Sequence, residues 1–319
     1  MSKRSLSAVL RGVVRSLVLF AASAAFGEGP VAGKPLAWAP PRLENPAILD
    51  LAAEPKHRSF KLDKAKDYIV RLPQDRPWIG ELNLYGGRNV VLIGGEVRIP
   101  SPEEDPSFGD DENGKPRRSR RALYIQGQTG TLHIEGLLLS GAGLHEGINI
   151  SEREPGCVVQ LQNVRCETVH GSFSANHADV IQTWAGPAEL RIDGLTGFTT
   201  YQGFFLLPNQ HFPIGKGGFL PTRWDFRRIN LVGTDSSAYL LWCPDRHGFP
   251  IAIADVWLSP AQKKAGNRDM FLWPKPAATG DDTWSAVRVG MPPEGDFVPE
   301  GLAGRNYVSP GYVDTPSAP

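Results

Sequence analysis

The chain has 319 residues, with 34 basic and 34 acidic side chains, 41% hydrophobic residues, 35 glycines, 28 prolines and three cysteines. That hydrophobic content can build a sizeable core, and so much Gly and Pro suits many short strands joined by turns rather than long helices. No window beyond residue 30 holds the roughly eighteen apolar residues that a membrane span needs, and an odd cysteine count excludes a fully paired disulfide framework.

In chain order, residues 1–24 read first, as an export signal. Lys3, Arg4, Arg11 and Arg15 precede the apolar run Ser16–Ala22, and Ala22-Ser23-Ala24 gives a small-residue cleavage pattern. Removing that segment takes four basic residues and no acidic one, which leaves 30 against 34, a balance of −4. A mildly acidic exported protein lacks the basic patch that phosphate contacts require, so nucleic acid is not expected as a partner. The expected location is periplasmic or extracellular. There, one disulfide among Cys157, Cys166 and Cys243 and three buried thiols are alternatives of equal weight.

Residues 25–60 form a Pro- and Ala-containing leader, and residues 276–319 a Pro-rich tail or strap. Between them, 61–275 carries two interleaved series of short apolar segments. One runs through Ile93, Ile134, Leu161, Ile192, Phe226 and Ile253. The other runs through Leu123-Tyr-Ile125, Ile148-Asn-Ile150, Asp179-Val-Ile181, Phe204-Phe-Leu206, Tyr239-Leu-Leu241 and Met270-Phe-Leu272. In the first series, Ile134-Glu-Gly-Leu137, Leu161-Gln-Asn-Val164, Ile192-Asp-Gly-Leu195 and Ile253-Ala-Asp-Val256 each set a polar pair between aliphatics. The Gly, Asn or Asp in its second slot supplies a tight bend. A two-strand unit recurring about every thirty residues is a solenoid pattern. The expected fold is therefore all-β: a single-stranded right-handed parallel β-helix, preferred over a β-sandwich, which has no reason to repeat in this way. The charged stretch 101–121 interrupts the repeat. As a run of like charges it reads as a solvated, partly disordered loop, and it lacks the ligand spacing of a calcium site.

The densest polar stretch, His170 to Trp184, contains His177, Asp179, Gln182 and Trp184. Strict strand alternation puts His177 and Asp179 on one face and Gln182 and Trp184 on the other. If both His177 and Asp179 face solvent, they make a general base oriented by a carboxylate. If both face inward, they are a hydrogen-bonded structural pair. Stacking would bring His145-Glu146 and Tyr201-Gln202 into one column with them. The candidate catalytic residues are thus His177, Asp179, Glu146, Tyr201 and Arg191, the last as charge neutraliser or simple surface ion pair. Gln182, Trp184, Gln202, His145 and Tyr124 are candidate substrate contacts. Tyr124, Trp184, Tyr201, Trp242 and Trp273 recur along the second series, where an outward row would suit sugar rings and an inward one would be a core ladder. No metal-type Cys/His spacing occurs and no cofactor is expected; a divalent cation is not indicated.

The aligned segments and the stretch His177-x-Asp179-x-x-Gln182 resemble the pectate-lyase-like right-handed parallel β-helix superfamily over about 66–275, at the level of architecture. The phrases at 177–187 and 201–210 look like those of bacterial β-helix proteins. The resemblance implies an exported polysaccharide lyase or glycoside hydrolase, or a non-catalytic glycan-binding relative. The polygalacturonase Asn-Thr-Asp, Asp-Asp, Gly-His-Gly and Arg-Ile-Lys segments and the pectate-lyase Arg-x-Pro-x-x-Arg motif are missing, so those mechanisms do not carry over.

Overall fold

The computed structural model describes residues 29–54, 57–234, 237–244, 248–279 and 284–312; the export-signal segment lies outside these. The protein is all-β. Apart from a two-stranded pairing of the chain ends, its strands form one twelve-stranded and one eight-stranded sheet, and every strand pair is parallel. The chain alternates between the two, so the apolar series of the sequence become the inner rows of separate sheets, except that Ile93 lies one residue out of register, paired with Glu135, and Leu92 takes the inner place beside Ile134.

In the twelve-stranded sheet, registers align Ile134, Leu161, Ile192, Phe226 and Ile253 across successive strands. In the eight-stranded sheet they align Leu123, Ile148, Ile181, Phe204, Leu241 and Leu272. Except for the partly buried Ile253, all are at most 1% exposed and meet in one core. Burying each such side chain contributes about 1.5–3 kcal/mol, and a row of like side chains about 4.8 Å apart packs without gaps.

The bend residues also form a column. Gly94, Gly136, Asn163, Gly194, Arg228 and Asp255 each follow a register-aligned residue and have φ of 63°, 66°, 53°, 72°, 46° and 61°. At Gly136 the need for glycine is twofold. The backbone is left-handed, and an added Cβ would fall 2.1 Å from the Tyr307 ring.

The parallel sheets extend beyond 61–275 on both sides, from Ala47–Asp50 to Val287–Val289. The chain ends then fold back over the twelve-stranded sheet, on the face turned away from the core. Val31–Ala32 pairs with Tyr307–Val308. Gln162 holds the leader by accepting from the Ala37 and Trp38 amides at 2.9 and 3.1 Å, and by donating to the Trp38 carbonyl at 2.7 Å. The Tyr307 hydroxyl donates to Glu135 Oε1 at 2.5 Å and accepts from Asn163 Nδ2 at 2.9 Å. Glu135 in turn meets His133 Nε2 at 3.1 Å, and His133 Nδ1 lies 2.9 Å from Gln160 Oε1. The tail closes over this buried network and supplies partners to Glu135 and to Asn163 Nδ2, while Asn163 Oδ1 has none.

Two expectations are corrected here. The insertion 101–121 is pinned rather than loose. Phe108 is fully buried, Arg120 donates to its carbonyl at 2.7 Å, and Arg98–Glu104 and Arg120–Asp110 ion pairs close the loop. One inserted aromatic ring outweighs the charge run. Cys157, Cys166 and Cys243 are buried as thiols, so of the two alternatives the core thiols hold. No helix among the described residues is long and apolar enough to cross a membrane.

Candidate functional site on the eight-stranded sheet

With much of the outer face of the twelve-stranded sheet crossed by the chain ends, the open broad surface is the outer face of the eight-stranded sheet. Alternation decides what it displays. Where Leu123, Ile181, Phe204 and Leu241 point inward, their successors Tyr124, Gln182, Phe205 and Trp242 point outward. Registers place Asn83, Tyr124, Asn149, Gln182, Phe205, Trp242 and Trp273 in one outer row.

Rings along this face touch in groups. Tyr124 lies 5.7 Å from both Tyr85 and Trp184, and Trp184 lies 5.0 Å from His211. Further along, Trp242 is 5.2 Å from Phe205, 4.6 Å from Tyr239 and stacked on Trp273 at 5.1 Å. Between the groups, Asn149 Nδ2 donates to Gln182 Oε1 at 2.9 Å. Of the two readings left open, the outward one holds for Tyr124, Trp184, Trp242 and Trp273, which are half-buried, whereas Tyr201 is 7% exposed.

A cavity of about 590 Å³ opens at the second group. One wall is Phe173, His177 and Tyr201, with ring centres 6.0 and 5.2 Å apart. The other is Phe205, Tyr239 and Trp242, and Gln202 lies between them.

Beside the cavity runs the expected polar column. Arg121 is aligned with Glu146, and Asp179 with Gln202; Glu146 and Asp179 each stand two residues before the paired Ile148 and Ile181. Glu146 is already engaged, accepting from Arg121 Nε at 2.9 Å. Asp179 is 1% exposed, and neither carboxylate oxygen has a hydrogen-bond partner. Burial, and then the charge of Glu146, holds its pKa well above the usual carboxylate range. Gln202 is 4% exposed with its Oε1 also unpartnered. Burial and then Asp179 raise the Tyr201 pKa.

Neither sequence-based alternative for His177 and Asp179 describes the site. The strand starts only at Asp179 (Asp179–Ala185), so alternation does not reach back to His177, which stays exposed on the loop while Asp179 is buried. No hydrogen bond joins them. Of the other candidates, Tyr201 and Gln202 join His177 at the cavity. Gln182, Trp184 and Tyr124 lie along the same face. His145 is half-buried and accepts from Arg120 Nη1 at 3.3 Å. Burial, then Arg120 and His170, push its pKa down to about 4, against Asp110, so it is neutral at neutral pH. Arg191 is separated from all of these. It sits on the outer face of the twelve-stranded sheet, bound to Glu189 at 2.6 Å beside Trp38 and Asp225.

Phe173, Phe205 and Tyr239 were missed as cavity residues. Phe205 was findable, since Phe204 inward requires its neighbour outward. Phe173, 81% exposed on a loop, carried no periodic signal. Among the described residues no group of three or more His, Cys, Asp or Glu could hold a metal ion. No family model matches the chain, and neither a curated protein nor a solved structure matches it.

Proposed function

We propose that this is an exported, carbohydrate-active protein, a right-handed parallel β-helix of the pectate-lyase-like kind. Its eight-stranded sheet holds an extended polysaccharide across the outer face. The observation that carries the reading is the two groups of outward aromatic rings on this face, one around Tyr124 and Trp184 and one around Phe205 and Trp242, with an aromatic-walled cavity at the second. Sugar rings present C–H faces that pack on aromatic faces, and a row of such platforms along parallel strands suits a chain of sugars.

If the site is catalytic, hydrolysis suits its charges better than elimination. Elimination from a uronate calls for a cation near the sugar carboxylate, and Arg191 lies on the other sheet. Hydrolysis needs one carboxyl kept protonated and one ionised. Asp179, whose pKa burial holds well above the usual carboxylate range, and Glu146, in an ion pair with Arg121, sit in environments that differ in that sense. A second reading, a non-catalytic glycan-binding protein, is favoured by the burial of Asp179 away from solvent.

The test is incubation of the full chain with neutral and uronate-containing polysaccharides. New reducing ends, lost in Glu146→Gln and Asp179→Asn, would establish hydrolysis. Unsaturated product, lost in His177→Ala, would establish elimination instead. Retention of polysaccharide on immobilised protein without product selects the binding reading. Neither reaction nor retention on any glycan overturns the proposal.

A further inference from the structure

We infer that the cavity between Tyr201 and Trp242 is a subsite for an uncharged sugar ring rather than a uronate, sulfated or amino sugar. The inference rests on the glycan reading above and narrows it. Three observations support it. First, none of the described residues lining the cavity is Arg or Lys, and the only basic side chain among them is the imidazole of His177, whereas an anionic sugar calls for Arg or Lys at the carboxylate or sulfate. The one cation in the adjoining column, Arg121, is paired with Glu146 and lies against the Tyr124 and Trp184 rings, 5.2 and 4.7 Å from their centres.

Second, the surroundings oppose ionisation. Asp179, next to the lining residue Gln202, has its pKa held well above the usual carboxylate range by burial and then by Glu146, so that side of the cavity offers a ligand carboxylate no compensating positive charge. An ammonium fares no better, because no described acidic residue lines the cavity and Glu146 is taken by Arg121.

Third, the unmet hydrogen-bonding capacity of the lining is on uncharged groups, one acceptor and one donor, the donor being the buried, unpartnered Trp242 Nε1. Gln202 lines the cavity with a buried, unpartnered Oε1. Sugar hydroxyls, which both donate and accept, would meet Gln202 Oε1 and Trp242 Nε1, and the aromatic walls would supply the faces. An uncharged polyol ring satisfies both.

The experiment measures binding of the full chain to galactomannan, xyloglucan, polygalacturonate and chitosan oligosaccharides by calorimetry, at low and high salt. A neutral glycan is expected to bind about ten-fold or more tighter than polygalacturonate or chitosan at either salt, and Trp242→Ala to lose about ten-fold, equivalent to about 1.4 kcal/mol. Phe205→Ala serves as the second aromatic variant should Trp242→Ala fail to fold. Ser174→Lys, at an exposed loop position of the lining, is expected to raise polygalacturonate affinity several-fold at low salt; no gain would count against the electrostatic argument. Tighter binding of polygalacturonate or chitosan, weakened by the aromatic substitutions, would overturn this inference and leave the glycan reading standing. Absence of binding to all four, or binding indifferent to both aromatic substitutions, would overturn the two together.

Discussion

Asp179 and Gln202 stand side by side in neighbouring strands, both buried, and their side-chain oxygens Oδ1, Oδ2 and Oε1 all lack a hydrogen-bond partner. Buried acceptors without donors are uncommon in folded proteins and cost about 1–3 kcal/mol each. A proton on Asp179 relieves part of that cost by turning one acceptor into a donor.

The pH dependence follows from the direction of the Asp179 shift. A carboxyl whose pKa is raised on folding binds its proton more tightly in the native state. Its stabilising contribution is therefore complete below the unfolded value of about 3.9 and is lost as pH rises toward the folded pKa. Asp179→Asn is expected to flatten the stability profile above pH ~4, where the slope from one such group reaches at most about 1.4 kcal/mol per pH unit. Denaturant unfolding of both proteins across pH 4–8, a range set by that unfolded value and neutrality, checks this; parallel profiles would remove Asp179 as the titrating group.

The tail is expected to contribute to stability through Tyr307. Tyr307→Phe removes the donor to Glu135 Oε1 and the acceptor for Asn163 Nδ2, so a loss of about 1–3 kcal/mol is expected. Gly136→Ala should cost more, since a Cβ there meets the ring at 2.1 Å on a left-handed backbone. Thermal unfolding measures both, and a smaller loss for Gly136→Ala than for Tyr307→Phe would contradict the close contact.

Phe108 is expected to fix the charged insertion. Phe108→Ala should destabilise by about 3–5 kcal/mol, as for other buried aromatic truncations, and open 101–121 to protease. Limited digestion with trypsin, which has Arg117 and Arg118 as targets there, reads this out. An unchanged cleavage pattern would mean that the Arg98–Glu104 and Arg120–Asp110 ion pairs hold the loop without the ring.

The amino-acid sequence by itself determined the strand registers from Ile134 onward, while Ile93 was placed one residue out. Ile134, Leu161, Ile192, Phe226 and Ile253 can share an inner row only if the chain advances by whole two-strand units, and Gly136, Asn163, Gly194 and Asp255 mark the bend in each because they tolerate left-handed backbone. The grouping of Arg191 with His177 in one candidate site was overturned, because the two belong to different apolar series and hence to different sheets. Tertiary structure alone decided the rest. His177 and Asp179 parted because pairing with Gln202, not local pattern, sets where the strand begins. Tyr307 reaches Glu135 across 172 positions of sequence. Contacts of that range leave no periodicity in the chain, and they determine which sheet face is covered and which stays open.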